Sequence, residues 1–468
     1  MTPGKTPIIG SNRISLFALA AAMALFAGCA GVETPAEIAA RKDLAKVTAR
    51  YRPGDAKPEL PRLTATSRLK DYLLFALLNN PRIEAAYYDW YAGVESITVA
   101  RSLPDPRLTF SSDITDSVRS LMPGLMLDLP GPGKLRLSGD VSAAESRATY
   151  YAFELEMLKT AYAVKNAYYR LKFLEDTLGV QQKTLRLLTD LEKLARQRNA
   201  AGRATLQDAL WAQIEEEQFK TRIENLEDSR KTLMADLKAA LGLGGNQADP
   251  PAPATFDASV HPMNSEDIFD LALKRNPVIG KMTAEVKRAQ SLMELARKTG
   301  VPDFSAGVEV DVKGSPLMWT PSLGLTLPLW RDKIAAEIAG ARAGEKAAEA
   351  RLTAEQVQLG AEMASMLYMF RESERDLSLL EDRLIPLGQQ ALAASRAGYA
   401  NGKSGFGDVL DSTRQLLGFD LSAIEARTKR ELALAAISLL IADTAPDGRP
   451  ERVETENGKP LHSKEDSP

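Results

Sequence analysis

The sequence predicts a mainly α-helical chain with a β section, built as a duplicated repeat in which each half carries two strands plus long antiparallel helices. Three observations predict it. A proline-free run from Gly133 to Asp249, rich in Ala, Leu, Glu, Lys and Arg, has no economical reading but helix. The stretch from Val301 to Leu329 instead has period two. Phe304, Ala306, Val308, Val310 and Val312 alternate with Ser305, Gly307, Glu309 and Asp311, and after a Lys313-Gly314-Ser315-Pro316 turn Trp319, Leu323, Leu325, Leu327 and Leu329 repeat the pattern. Finally, landmarks recur about 200 residues apart: Asn80-Pro81 with Asn276-Pro277, Pro104-Asp105 with Pro302-Asp303, Leu129-Pro130 with Leu327-Pro328, and Gly202 with Gly402.

In chain order, residues 1–28 read as a targeting segment. Lys5 and Arg13 precede an apolar run from Ile14 to Phe26, too short to span a bilayer comfortably, and Ala27-Gly28 lead to Cys29. The pattern resembles a bacterial lipoprotein signal, with Phe26 where Leu is usual. That resemblance implies acylation of Cys29 and, with Ala30 after it, sorting to the outer membrane. Residues 29–66, Ala- and Pro-rich with weak periodicity, are expected to form an extended arm.

The first repeat, 67–245, opens with a helix from about Leu69 to Asn79, striped by Leu73, Leu74, Leu77 and Leu78. A second helix runs from Arg82 to about Leu103, where Pro104-Asp105-Pro106 stops it. Two strands follow, one carrying Leu108, Phe110 and Ile114 and the other Leu125, Leu127 and Leu129, closed by Pro130-Gly131-Pro132-Gly133-Lys134. A helix of about 65 residues, on the order of 100 Å long, then keeps Leu174, Leu178, Leu185, Leu188, Leu191 and Ala195 in register, turns at Gly202 and returns antiparallel. A Pro-rich linker, 246–264, leads to the second repeat, 265–443. Its long helix, from Trp330 to about Tyr399, contains Pro386 and should kink there. The polar, charged tail, 444–468, is expected to be disordered.

Composition narrows the function. The formal net charge is -3 and no basic cluster interleaves with aromatics, which argues against nucleic acid as a partner. One cysteine and two histidines, His261 in the linker and His462 in the tail, leave no material for disulfides, a Cys/His zinc site or a Ser-His-Asp triad. The acidic residues form no pocket pattern, so neither an enzyme nor a cofactor is expected. Gly398-Tyr399-Ala400-Asn401-Gly402-Lys403-Ser404 has one residue too few between its glycines for a phosphate loop and follows a helix, so these glycines end that helix and turn the chain. Met363, Met366 and Met369 share their segment with Leu367 and Phe370, and read as a packing stripe rather than a soft-metal site.

Four strands cannot close a membrane barrel, whose smallest form has about eight, and an open strand edge cannot face lipid. Strands in a membrane would therefore need several chains to share one barrel. The rival is a lipid-anchored periplasmic coiled-coil scaffold whose hairpins are soluble; there the apolar strand faces would be covered by protein, and no aromatic need mark a strand end.

The duplicated order of helix, Pro-Asp, strand pair, Leu-Pro, long helix, Gly turn and return helix resembles the TolC-like outer membrane factors over residues 67–443. Pro130-Gly131-Pro132-Gly133-Lys134-Leu135-Arg136 is most similar to their heavy-metal efflux branch. The resemblance implies a homotrimer with a 12-stranded β-barrel in outer membrane lipid, continued by a 12-helix periplasmic α-barrel. It implies a passive export conduit for small molecules or metal ions, driven by an inner-membrane pump of the resistance-nodulation-division type through a periplasmic adaptor; type I protein secretion is the alternative cargo route. Adaptor docking falls on the tip turns, Gly202, Arg203 and Asp208 in the first repeat and Gly402, Lys403 and Asp408 in the second. Pro130, Gly131, Gly133 and Pro328 become the bends from barrel to tunnel. Asp208 and Asp408 also have a plainer reading, a favourable charge at a helix N-terminus. Where some members carry an acidic ring, Leu392-Ala393-Ala394-Ser395-Arg396 has no carboxylate, which argues against a carboxylate gate at that place.

Overall fold

A computed structural model describes residues 33–51, 58–64, 66–114, 118–253 and 265–442. The signal segment with Cys29, the His261 end of the linker and the tail from 444 onward lie outside the described residues. Among the described residues, ten α-helices and four strands follow in order: α1 (Pro35–Tyr51), α2 (Leu69–Asn79), α3 (Pro81–Arg101), β1 (Arg107–Ile114), β2 (Val118–Leu129), α4 (Lys134–Ala200), α5 (Leu206–Ala240), α6 (Ser265–Arg275), α7 (Pro277–Arg297), β3 (Phe304–Asp311), β4 (Met318–Leu325), α8 (Arg331–Leu379), α9 (Ile385–Ala400) and α10 (Phe406–Leu440). Among the described residues, no helix is long and apolar enough to cross a membrane.

The residues divide into two compact units. One holds the described residues up to 50 with Tyr87–Tyr151 and Lys281–Thr353; the other holds Tyr51–Ala86, Ala152–Gly280 and the chain from Ala354 on. The first unit contains the sheet, antiparallel throughout in the order β1-β2-β3-β4. The pairing of β2 with β3, Leu129 opposite Phe304 and Leu125 opposite Val308, joins the two repeats into one sheet. Two strand expectations need correcting. β4 ends at Leu325 rather than Leu329, because Pro328 has no N–H for a ladder and the last bond, from the Thr326 N–H to the Asp303 carbonyl (2.9 Å), lies just beyond the strand. β2 reaches back through Pro123 to Val118, longer than its Leu125–Leu129 alternation disclosed.

The expected extended arm is also overturned, since residues 35–51 form α1. Thr34 caps it, its Oγ1 accepting from the Glu37 N–H at 3.2 Å. Glu37 is fully buried and accepts from Arg101 Nε (2.5 Å), Thr98 Oγ1 (2.9 Å) and Arg41 Nε (3.2 Å). Burial opposes its charge, but the hydrogen bonds from Arg101, Thr98 and Arg41 prevail and hold its carboxyl below the usual range. Arg41 also forks onto Glu95, and Thr48 meets the Tyr87 hydroxyl, so α1 runs antiparallel along α3. Its composition of Ala, Lys, Arg and Glu favours helix. What it lacks is a leucine stripe, because its buried side is Glu37 with its ion pair and the single Leu44.

In the second unit each repeat closes on the same device. Asn80 donates from Nδ2 to the Ala240 carbonyl (3.1 Å) and accepts at Oδ1 from the Arg82 N–H (3.0 Å). Asn276 repeats this with Leu440 (2.9 Å) and Val278 (2.8 Å). One buried side chain thus ends the return helix and starts the next, whose first residue, Pro81 or Pro277, needs no N–H partner. Tyr72, Tyr168, Tyr169, Leu171, Leu237 and Leu241 fill the core beside Asn80. The break expected at Pro386 takes the form of a single π turn, Leu380–Leu384, after which the Ile385 N–H donates to the Leu380 carbonyl. Met363, Leu367 and Phe370 are buried on one stripe of α8.

Candidate membrane wall and tip turns

The ladder registers sort the strand side chains onto two faces, since i and i+2 share a face and so do cross-strand partners. One row runs Leu108, Leu125, Val308, Pro321; flanking rows carry Leu127, Ala306 and Leu323, and Leu129, Phe304 and Leu325. This face is apolar across all four strands and no described residue covers it: Leu323 is 89% exposed and Phe110 69%. Trp319 near the start of β4 and Trp330 beyond its end are exposed as well, the placement of an aromatic girdle. A soluble scaffold would bury such a face.

The opposite face is polar. Glu309 lies flat on it, accepting from Ser111 Oγ (3.1 Å) and Thr109 Oγ1 (3.4 Å). Gly124 makes room for it, for a Cβ there would sit 2.5 Å from Glu309 Cγ. Arg107 pairs with Asp128 at 2.7 Å. A sheet with an apolar outside, a polar inside and open β1 and β4 edges is a segment of wall, incomplete alone.

At the strand-to-helix junctions the structure places Pro130, Gly131 and Gly133 between β2 and α4, and Pro328 between β4 and α8. The junctions differ chemically. Gly131 donates its N–H to Asp303 Oδ1 (2.7 Å), which also accepts from Lys134 Nζ (2.7 Å). The Lys134 bond, aided by Gly131, holds the Asp303 carboxyl below its usual range despite partial burial. A Cβ at Gly131 would meet the Pro302 carbonyl oxygen at 2.5 Å, and Gly133 is left-handed with φ +85°. The Pro328 junction instead makes two tight turns, Leu329 N–H to Leu327 O and Arg331 N–H to Leu329 O.

The tip turns are duplicates. Gly202 (φ 69°) and Gly402 (φ 73°) each end a helix in a Schellman motif. Arg203 N–H donates to Arg198 O and Lys403 N–H to Gly398 O, both at 2.8 Å. The return helices start on Thr205 and Gly405. Asp208 accepts from Thr205 Oγ1 (2.9 Å), and Asp408 accepts from the Gly405 N–H (2.9 Å), so both acids serve the helix N-terminus. The Arg203 and Lys403 side chains are exposed.

Sequence reasoning missed what joins the tips. Tyr399 donates its hydroxyl to Asp208 Oδ2 (3.3 Å) and stacks edge-on with Phe406, while the Arg198 guanidinium lies 4.5 Å over the Tyr399 ring. Burial, then the Asp208 charge, push the Tyr399 hydroxyl up to about 12. Arg198 also donates to Arg203 O (3.2 Å), and its Nε and Nη1 are buried without a hydrogen-bond partner. Around them Leu188, Leu191, Ala195, Phe219, Val409 and Leu410 form one core. Only the leucine spacing signalled any of this. Leu392 belongs to that core.

The comparisons agree with this geometry. The chain is 24% identical over 373 residues to the cobalt-zinc-cadmium resistance protein CzcC of Cupriavidus metallidurans, covering 77% of this chain and 86% of CzcC. A membrane protein from Pseudomonas aeruginosa superposes with a TM-score of 0.72 at 20% identity, covering 84% of this chain and 94% of that one. The outer membrane protein VceC of Vibrio cholerae superposes with a TM-score of 0.69 at 17% identity, covering 81% and 97%. The family model described as outer membrane efflux protein matches residues 75–243 and 268–443. With both halves matched, the chain belongs to the outer membrane efflux protein family.

Proposed function

We propose that this outer membrane efflux channel is completed by two further copies of itself, β4 of one chain pairing with β1 of the next. The observation that carries the reading is the sheet with one uncovered apolar face, one polar face and two open edges. Lipid cannot satisfy an open edge, whose N–H and C=O groups cost several kcal/mol each. Three copies supply the strand number that closes a barrel with a water-filled interior. The channel does no chemistry; cargo moves through it under the drive of an inner-membrane pump of the resistance-nodulation-division type.

A periplasmic adaptor docks on the tip turns around Gly202, Arg203, Asp208, Gly402, Lys403 and Asp408. The exposed Arg203 and Lys403 offer it charge, and the left-handed glycines fix the shape it meets. The Gly131–Asp303–Lys134 clamp and the Pro328 turns serve as the bends from barrel to tube. Cys29 carries the lipid that anchors the N-terminus. Likeness to CzcC supports metal ions as cargo, selected by the pump rather than by this chain. Detergent extraction followed by mass determination tests the assembly: a trimer is expected, and a stable monomer in mild detergent would sink the shared barrel.

A further inference from the structure

The return helix α5 leaves its tip turn with an apolar stripe on the outside. Leu206, Leu210 and Ile214, spaced four apart, are all exposed, Ile214 to 54%, while Ala209, Ala212 and Phe219 on the other side of the helix enter the core. About four helical turns beyond Leu210 on the same stripe stands Glu224, exposed and without an ion pair among the described residues.

A second stripe lies on α9. Leu387 is 60% exposed and Ala391 and Ala394 are exposed with it, about a quarter turn away from the buried Gly388, Leu392 and Tyr399. One turn before Leu387, in the π turn, Arg383 is exposed and makes no ion pair with the described residues.

The two stripes match in height. Both belong to the second unit, and their tips stand level, since Tyr399 reaches Asp208 and Arg198 lies over Tyr399. Leu210 and Ala394 each stand eight residues from their turn glycine, and Ile214 and Ala391 stand twelve and eleven. Glu224 and Arg383 stand twenty-two and nineteen away, a difference of about 5 Å along a helix that an arginine side chain spans. Large side chains on one stripe are thus level with small ones on the other, and above them stand two free charges of opposite sign. Within one chain α5 turns its stripe away from the core it shares with α9, so only a second copy can bring the two together.

We propose that Leu206, Leu210 and Ile214 of one copy pack on Ala394, Ala391 and Leu387 of the next copy, with Glu224 pairing with that copy's Arg383. The contact is head to tail, because each chain carries both halves on different helices, and such contacts close into rings when the rotation allows. Chain connectivity gives it the same direction as the sheet: α8 and α9 continue the chain from β4, while α5 ends on Asn80, from which α3 leads into β1. The seam presupposes the three-copy channel proposed above and joins its copies at their tips. Its occupant is a second copy rather than an adaptor helix.

The test is cross-linking of the full-length protein in outer membranes with a short bismaleimide. Leu210→Cys combined with Ala394→Cys should give a ladder of dimer and trimer on a denaturing gel. Neither single variant should give one, and neither should Leu210→Cys with Arg396→Cys, whose second thiol lies on the far side of α9. Arg383→Glu in the cross-linking pair sets two carboxylates against each other and should cut the yield about threefold, the size of one exposed ion pair, and Glu224→Arg added to it should restore the yield. A trimer by mass in mild detergent without the ladder, or a ladder indifferent to Arg383→Glu, overturns the proposal and leaves the channel assembly standing. A Leu210→Cys thiol that a simple maleimide labels in the trimer until an adaptor is co-expressed gives the stripe to the adaptor, and overturns it equally. A stable monomer by mass sinks the assembly itself, and the seam with it.

Discussion

Replacing Gly402 by Val sets the docking assignment against the alternative that the tip turn is a mere connector. Gly402 has φ 73°, and its N–H and that of Lys403 complete the Schellman bonds to Tyr399 O and Gly398 O at 3.0 and 2.8 Å. A Cβ in that region costs about 1 to 2 kcal/mol. At Gly402 the new Cβ would also stand 3.6 Å from Arg198 Nη2, so the branched methyls crowd the guanidinium that stacks on Tyr399. At Gly202 (φ 69°) nothing lies within 4 Å of the added Cβ, so Gly202→Val carries the backbone strain alone. The expected order of export defects is therefore Gly202→Val, then Gly402→Val, then the pair. Gly402→Asn, which tolerates the left-handed region, should stay close to wild type. Export is read by growth under an effluxed toxicant and normalised to trimer content in the outer membrane. Normal trimers with undiminished export in Gly402→Val would refute the docking assignment.

Other outcomes follow from single contacts. Glu37→Ala removes the carboxylate that the buried Arg101 pairs with and should cost about 3 kcal/mol, seen as loss of amide exchange protection in α1. Because the Glu37 carboxyl is held below its unfolded value, the stabilisation it gives α1 is present above that unfolded value and is lost as pH falls through the folded one; protection of α1 that is flat through the acid range would contradict the pairing. Ala442 is the one non-glycine with positive φ (55°) among the described residues, at the place where the first repeat has Gly242, so Ala442→Gly should raise the melting temperature by relieving about 1 kcal/mol. Gly242→Ala should lower it, since the Cβ would come within 2.8 Å of Asn80 Cα. Tyr399→Phe removes the bond to Asp208 and should loosen the tip by about 1 kcal/mol, measured as faster amide exchange at the start of α5.

What was legible in the sequence is what periodicity encodes. The Leu188, Leu191 and Ala195 spacing marks a face that is buried, and the Phe304-to-Val310 alternation marks a face that the register carries across four strands. The duplication made a junction such as Asn80-Pro81 recognisable twice, though not that its side chain closes the return helix. α1 was illegible because its buried side is an ion pair around Glu37 and one leucine, Leu44, which make no periodic apolar stripe. The Arg198, Tyr399 and Asp208 contact was illegible for another reason: its members come from different helices nearly two hundred positions apart, and no local pattern relates them.

The two repeats agree and disagree in a physically ordered way. They agree where each half must fold by itself: the Asn80 and Asn276 junctions and the two Schellman tips use the same atoms in the same bonds. They disagree where each half meets different surroundings. After the first turn Leu206 and Leu210 are 63% and 49% exposed, while Phe406 and Leu410, two hundred positions on, are 2% and 4% exposed. The bends diverge likewise, one clamped through Gly131 and Asp303, the other turned by Pro328. A duplicated chain that closed a symmetric ring by itself would have no reason to treat equivalent apolar positions so differently. One in which each hairpin has its own sister on one flank and another molecule on the other would, and the residues that differ between the repeats are therefore where contacts to neighbouring chains should be sought.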